Sequence, residues 1–200
     1  MNTRKAEWEA AREEATACRA CDLWREATQM VFGEGPVDAP LMLVGEQPGD
    51  KEDLAGKPFI GPAGRMLDRA LAEAGIARDK AYVTGAVKHF KFVRRGKIRL
   101  HQKPDIAEVK ACNRWLLRER AIIGPALIVA LGATAARAVF GKPMTIGKSR
   151  GRVLDLDAGA KAMITVHPSY LLRVEEADKL RECALFVADL KLAAPFARRP

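Results

Sequence analysis

Short apolar runs recur along the chain, and segments with helical patterning separate them. The runs contain few polar residues, which is typical of parallel strands buried on both faces. The candidate strands are Pro40–Gly45, Ala81–Val87, Ala126–Leu131 and two shorter stretches, Arg152–Leu156 and Ala162–Val166. Because strands alternate with helices, the pattern predicts an α/β layered fold with a largely parallel sheet.

Five segments have the patterning of helices. A glycine, Gly75, suits the end of the second helix, and Asp105 can cap the start of the third. The third helix is expected to carry Val109, Cys112, Leu116 and Leu117 on one side. The predicted helices are residues 3–16, Gly64–Ala74, the segment after Asp105, the segment from the third strand through Phe140, and the amphipathic stretch Asp178–Ala194.

Three segments that directly follow predicted strands hold most of the chemically distinctive residues. They are Glu46–Gly61, Lys88–His101 and His167–Arg173. In open α/β sheets, ligands bind beyond the carboxyl ends of the strands. We therefore expect these three segments to converge on one edge of the sheet.

The net charge of +9 is concentrated in one segment. Residues 88–104 contain seven lysines or arginines and no acid, with Phe90 and Phe92 interleaved. Cations of this kind pair with phosphates and release counterions, the usual source of affinity for nucleic acids. The alternative, from charge alone, is a solvated basic loop without a partner.

The loop after the first strand is rich in glycine and proline. Its glycines allow close approach of the backbone to a ligand, and Phe59 within it could stack on a planar ring. The spacing matches neither a phosphate-binding Walker loop nor the dinucleotide fingerprint, which argues against a nucleotide cofactor. The structural alternative is a loop that only makes turns.

Four cysteines are present, and two of them form the pair Cys18-x-x-Cys21. In a protein without an export signal, such a pair more often binds metal or performs redox chemistry than forms disulfides. Cys183 shares a helical stripe with Leu180, Ala184 and Val187, which predicts a core position. The periodicity around Cys112 leaves both a core and a ligand role open.

The sequence predicts a cytoplasmic protein that is not embedded in a membrane. No apolar run approaches the roughly 18 residues of a membrane span. The segment Met1–Glu14 is charged and alanine-rich, without the apolar stretch of a secretory signal. Charged residues outside the basic segment are evenly spread, so we expect a monomer.

Three motifs together resemble the uracil-DNA glycosylase superfamily. They are Gly45-Glu-Gln-Pro-Gly-Asp50, Gly56-Lys-Pro-Phe-Ile-Gly-Pro-Ala-Gly64 and His167-Pro-Ser-Tyr-Leu-Leu-Arg173. The resemblance covers roughly residues 18–190. It implies a single domain over residues 1–200, with three αβα layers around a mainly parallel four-stranded sheet and a cluster-binding segment at about residues 1–35.

The family's chemistry assigns roles to these residues. In this chemistry, uracil is flipped out of a duplex or taken from a single strand, and it enters a pocket where Phe59 is expected to stack on it. Single-stranded DNA is the expected preference. His167 faces the departing uracil oxygen, and Glu46 supports the cationic sugar or orients a nucleophile. The expected substrate-binding residues are Gln47, Asp50, Phe59, Gly85, Lys97, Arg99, Ser169 and Arg173. Gln47 and Asp50 are expected to line the pocket mainly through the loop they shape. Leu171 or Leu172 is the expected wedge that fills the gap in the duplex.

Gln47 and the stretch Lys88-His-Phe-Lys-Phe92 resemble the X-type branch of the iron–sulfur group. In that branch a loop histidine attacks the sugar and remains bonded to C1′ of the abasic product. The matching stretch here is Lys97-Ile-Arg-Leu-His101, so the resemblance assigns covalent capture to His101. Other members use water, and a hydrolytic enzyme is therefore the first alternative.

The resemblance also implies a 4Fe-4S cluster. Cys18, Cys21 and Cys112 match cysteines of the family, and His89 stands where the ordinary group has the fourth cysteine. Three cysteines and one histidine would be a mixed ligand set. Zinc could use the same residues, and a brown colour would exclude it.

Gly85 departs from the family, which usually has asparagine there to read the edge of uracil. Glycine offers no side chain for this purpose, so base discrimination or turnover is expected to be weaker. A reversible damaged-DNA-binding protein without catalysis is therefore the second alternative. The expected partner in all three cases is uracil-containing DNA during DNA repair, with the protein associated with the nucleoid when it acts.

Overall fold

The computed structural model describes residues 3–156 and 159–198. The expected domain covers residues 1–200, of which residues 1, 2, 157, 158, 199 and 200 lie outside the described residues. The helices are α1 (Thr3–Thr16), α2 (Asp50–Ala55), α3 (Pro62–Glu73), α4 (Ile106–Ile123), α5 (Ala133–Phe140), α6 (Ile146–Ser149), α7 (Pro168–Leu171), α8 (Glu176–Lys191) and α9 (Ala194–Ala197). The strands are β1 (Leu41–Gly45), β2 (Ala81–Gly85), β3 (Phe92–Arg95), β4 (Ile98–His101), β5 (Leu127–Leu131), β6 (Val153–Asp155) and β7 (Lys161–Thr165).

The central sheet has the strand order β2-β1-β5-β7-β6. The first four of these strands run parallel, and β6 joins the edge antiparallel to β7. The prediction of a mainly parallel sheet is confirmed. The sheet contains the four expected parallel strands and one additional antiparallel strand at its edge.

Helices cover both faces of the sheet. Successive residues of a strand point to opposite faces, so Met42 and Val44 pack on one side while Leu41 and Leu43 pack on the other. The first side is covered by α1, α4 and α5, and the second by α3, α8 and α9. The three αβα layers are therefore confirmed. No described helix has the length and apolar character needed to cross a membrane.

The basic segment is an antiparallel hairpin rather than the predicted loop. Strands β3 and β4 pair Phe92 with His101 and Arg95 with Ile98. Gly96, with φ of +59°, turns the chain between them. The alternation of aromatic, basic and aliphatic residues in this segment fits the two faces of such a ribbon, and the hairpin places His101 at the end of β4.

Two predicted helix faces are corrected. In α4, Asp105 caps the helix through a capping box as expected, but Leu117 is 52 % exposed, because the buried side runs through Cys112, Leu116 and Glu119. In α8, Leu180 and Ala184 are exposed. The buried residues of α8 are Glu182, Phe186, Asp189 and Leu190, whereas Cys183 and Val187 lie half-buried beside the core.

A buried ion pair joins α4 to the end of β2. Lys88 Nζ lies 2.6 Å from Glu119 Oε2, and both side chains are almost fully buried. Glu119 also accepts hydrogen bonds from Tyr82, Thr84 and the backbone N–H of Gly33. Since every charge in this network is compensated, the cost of removing the two ions from water is offset.

We expect Lys88→Met to lower the free energy of unfolding by about 3–5 kcal/mol, because it leaves the Glu119 carboxylate buried without a cation. The double variant Lys88→Met/Glu119→Gln should recover part of this loss, since glutamine keeps an acceptor without the charge. Urea denaturation measures both values. Lys91→Met, which breaks only partly exposed ion pairs, is the control and should cost no more than about 1 kcal/mol. A double variant as unstable as Lys88→Met would contradict this account.

Candidate functional site

A cleft of about 990 Å³ opens at the carboxyl ends of the parallel strands. The three segments predicted to converge at this edge all contribute to it. The predicted site residues that line the cleft are Glu46, Gln47, Asp50, Phe59, Gly85, His101, His167, Ser169 and Arg173. Lys97 and Arg99 do not line it.

His101 and Glu46 meet in the cleft. The Nε2 atom of His101 lies 3.4 Å from Glu46 Oε1, and the imidazole is about half exposed. The other carboxylate oxygen of Glu46 accepts a hydrogen bond from the Thr134 hydroxyl. The carboxylate is thereby fixed between a histidine and a hydroxyl group, so it can orient a nucleophile or stabilise a developing cation.

His167 holds a neutral imidazole with a defined proton position. Burial lowers the pKa of His167 to about 4, and the charges of His101 and Arg173 act in the same direction. Its Nδ1 accepts a hydrogen bond from the backbone N–H of Ser169 at 3.2 Å and lies 2.8 Å from the Ser169 hydroxyl oxygen. Because Nδ1 is an acceptor, the neutral ring carries its proton on Nε2, which has no hydrogen-bond partner among the described residues and can donate in the cleft.

Phe59 is held beside His167 in a strained conformation. The φ angle of Phe59 is +56°, which is unusual for a residue other than glycine. Its ring stacks on the imidazole of His167 with the centroids 6.2 Å apart. A Cβ atom on Gly45 would lie 2.6 Å from the Phe59 ring, so glycine is needed there for the close approach. The geometry presents an aromatic face and a histidine N–H to the same space.

The side chain of Gln47 anchors the hairpin. Its amide nitrogen donates to the carbonyl oxygens of Lys91 and Gln102 at 3.1 and 3.0 Å. Its amide oxygen accepts from the backbone N–H of Lys91 at 3.1 Å. The amide is therefore fully engaged with the two ends of the β3–β4 hairpin.

Arg99 provides a second anchor. Its guanidinium pairs with Asp50 and Asp53 at 2.6 Å each and donates to the Thr28 hydroxyl. Its guanidinium is thus bonded to α2 and does not line the cleft. Lys97 is exposed at the turn of the hairpin.

Gly85 lies at the end of β2, where its backbone lines the cleft. A Cβ atom at this position would come within 2.8 Å of the carbonyl oxygen of Val87. The Gly85 carbonyl accepts a hydrogen bond from the buried ammonium of Lys88 at 2.7 Å. A side chain at this position therefore requires the segment that Lys88 holds to move.

The two candidate wedge residues differ in position. Leu171 is fully buried in the core and is excluded as a wedge, whereas Leu172 is 43 % exposed and lines the cleft. Arg173 is exposed at the same rim. Thr134 was missed from the sequence, although its place three residues after β5, at the same sheet edge, could have indicated it.

The four expected cluster ligands line one small buried cavity. Cys18, Cys21, His89 and Cys112 all contribute to its wall. Burial raises the pKa of the Cys112 thiol to about 11, and burial lowers the pKa of His89. The backbone N–H of Lys88 donates to the sulfur of Cys112 at 3.2 Å. Within residues 3–156 and 159–198, no three histidine, cysteine or acidic side chains are already grouped closely enough to hold a metal ion.

The donor set nevertheless suits a soft metal centre. Thiolates and imidazole bind iron–sulfur clusters and zinc. The cavity is otherwise lined by alanine, methionine, tryptophan and lysine, and it contains no carboxylate. A buried thiol with a raised pKa becomes a thiolate when a cation is bound beside it. These residues therefore fit either an iron–sulfur cluster or zinc, once the four side chains move closer to one another.

Comparisons with known proteins identify the family. Residues 32–191 match the family described as the uracil DNA glycosylase superfamily. A type-4 uracil-DNA glycosylase of Thermotoga maritima is 39 % identical over all of this chain and 99 % of its own length. Type-4 uracil-DNA glycosylases of Sulfurisphaera tokodaii and Archaeoglobus fulgidus are each 34 % identical, over 87 % and 80 % of this chain and 83 % and 80 % of their own lengths. The chain belongs to the uracil DNA glycosylase superfamily.

Proposed function

We propose that this protein excises uracil from DNA, preferring single strands, and then becomes bonded to C1′ of the abasic site through His101. The observation that carries the proposal is the placement of His101 beside Glu46, in the same cleft as Phe59 and His167. A nucleophile, a carboxylate, a stacking ring and a hydrogen-bond donor thus surround one space.

Uracil binding is assigned to the inner part of the cleft. The base enters after the nucleotide is flipped or from an unpaired strand, and it stacks on Phe59. Cleavage of the bond between base and sugar leaves negative charge on uracil. The Nε2–H of His167 donates to the uracil oxygen on which this charge develops, and a neutral donor is retained at physiological pH because burial depresses the histidine pKa.

The position of His101 supports the proposed covalent step. The electron pair of the glycosidic bond leaves with uracil, and C1′ becomes electron-deficient. A ring nitrogen of His101 bonds to C1′ with its lone pair, the imidazolium product loses one proton, and the uracil anion gains one. Glu46 stabilises the positive charge on the sugar and then on the ring, and the anchored hairpin keeps the ring close to its target.

Hydrolysis is a second candidate because the Glu46 carboxylate is also suited to orient water. Its hydrogen bond with Thr134 fixes the carboxylate whether or not His101 reacts. In that case His101 would only contact DNA, and the protein would turn over. Reversible binding without excision is the third possibility, and it draws its support from Gly85 alone.

DNA contacts are assigned to the exposed cations of the hairpin and to Arg173. Lys88, Lys91 and Arg99 are engaged with carboxylates, whereas Arg94, Arg95, Lys97 and Lys103 have no acidic partner in the described residues. These four cations are available for phosphates. Leu172 is placed to fill the gap left by the flipped base.

We further propose that Cys18, Cys21, His89 and Cys112 hold a 4Fe-4S cluster, as the resemblance to the iron–sulfur group implies. The cluster would act structurally, by fixing residues 1–35 beside the segment that leads into the hairpin. The resulting protein would be a single domain over residues 1–200. We assign it to the cytoplasm, as a monomer that associates with the nucleoid when it acts.

The covalent mechanism predicts a denaturation-resistant adduct between the wild-type protein and a uracil-containing single-stranded oligonucleotide, seen on a denaturing gel. His101→Ala should abolish the adduct, because no other side chain in the hairpin offers a nucleophile beside Glu46. Gln102→Ala, an exposed neighbour, is the control and should retain it. Uracil release with alkali-labile DNA but no adduct in the wild type would instead establish hydrolysis, and neither signal would leave only binding.

The pKa of His167 predicts that its ring stays neutral, with the proton on Nε2, from pH 8 down to about pH 5. Nitrogen-15 NMR of labelled histidine should show a titration midpoint near 4, well below the ordinary value of 6.5. Since the unfolded chain takes up this proton at higher pH than the folded one, His167 should also lower the stability as the pH falls from 6.5 to 4.

Ser169→Ala provides the comparison for this measurement. The variant removes the hydroxyl beside Nδ1 but keeps the backbone N–H, so the Nε2–H form should persist. A midpoint near 6.5, or a proton on Nδ1 in the wild type, would refute the assigned donor.

A further inference from the structure

A second cavity, of about 220 Å³, adjoins the main cleft. The two cavities share Lys103, Ala133 and Thr134 as lining residues. Beyond these residues, the second cavity is lined by Arg137 of α5 and by apolar side chains that include Ile106 and Met144. It therefore continues the cleft past His101 along the first turns of α4 and α5.

The lining of this cavity is electropositive. Arg137 is half-buried, and within the described residues its guanidinium has no carboxylate or hydrogen-bond partner; the same is true of the Lys103 ammonium. The acid in the lining is Asp105, whose carboxylate caps α4 through the Glu108 N–H at 2.8 Å and lies 3.4 Å from Lys91 Nζ. Lys91 lies closer to Glu108, at 2.8 Å, so the Asp105 charge is only partly compensated, but the two cations of the lining still outnumber this one carboxylate.

A bound anion would satisfy these cations. A guanidinium presents paired donors that match the oxygens of a phosphate, and an ammonium adds a point charge. Ala133 and Thr134, the first two residues of α5, also line this cavity, and the start of a helix favours an anion. The apolar wall of Ile106 and Met144 suits the sugar attached to that phosphate.

We propose that this cavity binds one phosphodiester of the DNA strand next to the flipped nucleotide, with Arg137 and Lys103 as its ligands. This inference rests on the proposed function of the main cleft. Lys103 follows His101 by two residues, a span of at most about 7 Å. Because the cavity also shares Lys103, Ala133 and Thr134 with the main cleft, we place the phosphate at one of the two linkages on either side of the uracil position.

The test combines substitution of Arg137 with neutralisation of single phosphates. Oligonucleotides carry a tetrahydrofuran abasic analogue, which cannot react, and one methylphosphonate at each of the two linkages on either side. For the unmodified strand, Arg137→Gln should weaken equilibrium binding about tenfold. It should also reduce the slope of the logarithm of the binding constant against the logarithm of the salt concentration by about one, as expected for the loss of one phosphate contact. Arg137→Lys should restore part of the affinity.

At one position, a methylphosphonate should weaken binding of the wild type by the same factor as Arg137→Gln weakens binding of the unmodified strand. The same methylphosphonate should not weaken binding of Arg137→Gln any further. Arg120→Gln removes an equal charge from α4 at a place that lines neither cavity, and it should bind within twofold of the wild type. Thermal unfolding confirms that the variants are folded. Equal losses in Arg137→Gln and Arg120→Gln, or a further loss in Arg137→Gln at every methylphosphonate position, would overturn the proposal.

Inorganic phosphate distinguishes a free anion from DNA as the ligand. Saturation of the cavity by millimolar phosphate in the wild type but not in Arg137→Gln, with no special methylphosphonate position, would assign a free-anion site and refute the DNA assignment. Uracil release by the wild type is measured separately. Its absence would refute the proposed excision while leaving an Arg137-dependent phosphate contact intact.

Discussion

The position of His101 depends on how the β3–β4 hairpin is fixed to the loop after β1. A two-stranded ribbon is only marginally stable by itself. Here the amide of Gln47 bonds to both ends of the ribbon, and Arg99 bonds to Asp50 and Asp53. Residues first assigned to the substrate therefore hold the scaffold, and their constraint places an imidazole 3.4 Å from the Glu46 carboxylate.

The short segment from Gly85 to His89 connects the main cleft with the expected cluster site. Gly85 lines the cleft, and His89 lines the cavity that contains the three cysteines. Lys88 lies between them, bonded through its side chain to Gly85 and Glu119 and through its backbone to Cys112. Because a Cβ at Gly85 would meet the Val87 carbonyl, side-chain reading of the base at this position requires the whole segment to shift.

Local patterns in the sequence were sufficient to predict the main helices and strands, and to predict which edge of the sheet carries the site. Buried strands such as Leu127–Leu131 are apolar throughout, and the motif residues Glu46, Phe59 and His167 follow strand ends, so their convergence could be predicted. The hydrogen-bond partners of Gln47 and Arg99 could not be predicted, because they are separated from these residues by 44 to 55 and by 46 to 71 positions in the chain. Similarly, the exposed Leu180 and Leu117 have the same residue type as core leucines, and only tertiary packing distinguishes them.

Peptide mapping by mass spectrometry after reaction with a uracil-containing single strand tests the central claim most directly. The account predicts that the digested protein carries the mass of a deoxyribose-linked fragment on the peptide that contains His101, with one uracil released for each protein modified. An unmodified His101 peptide after complete uracil release, or a modification found on any other residue, would contradict it.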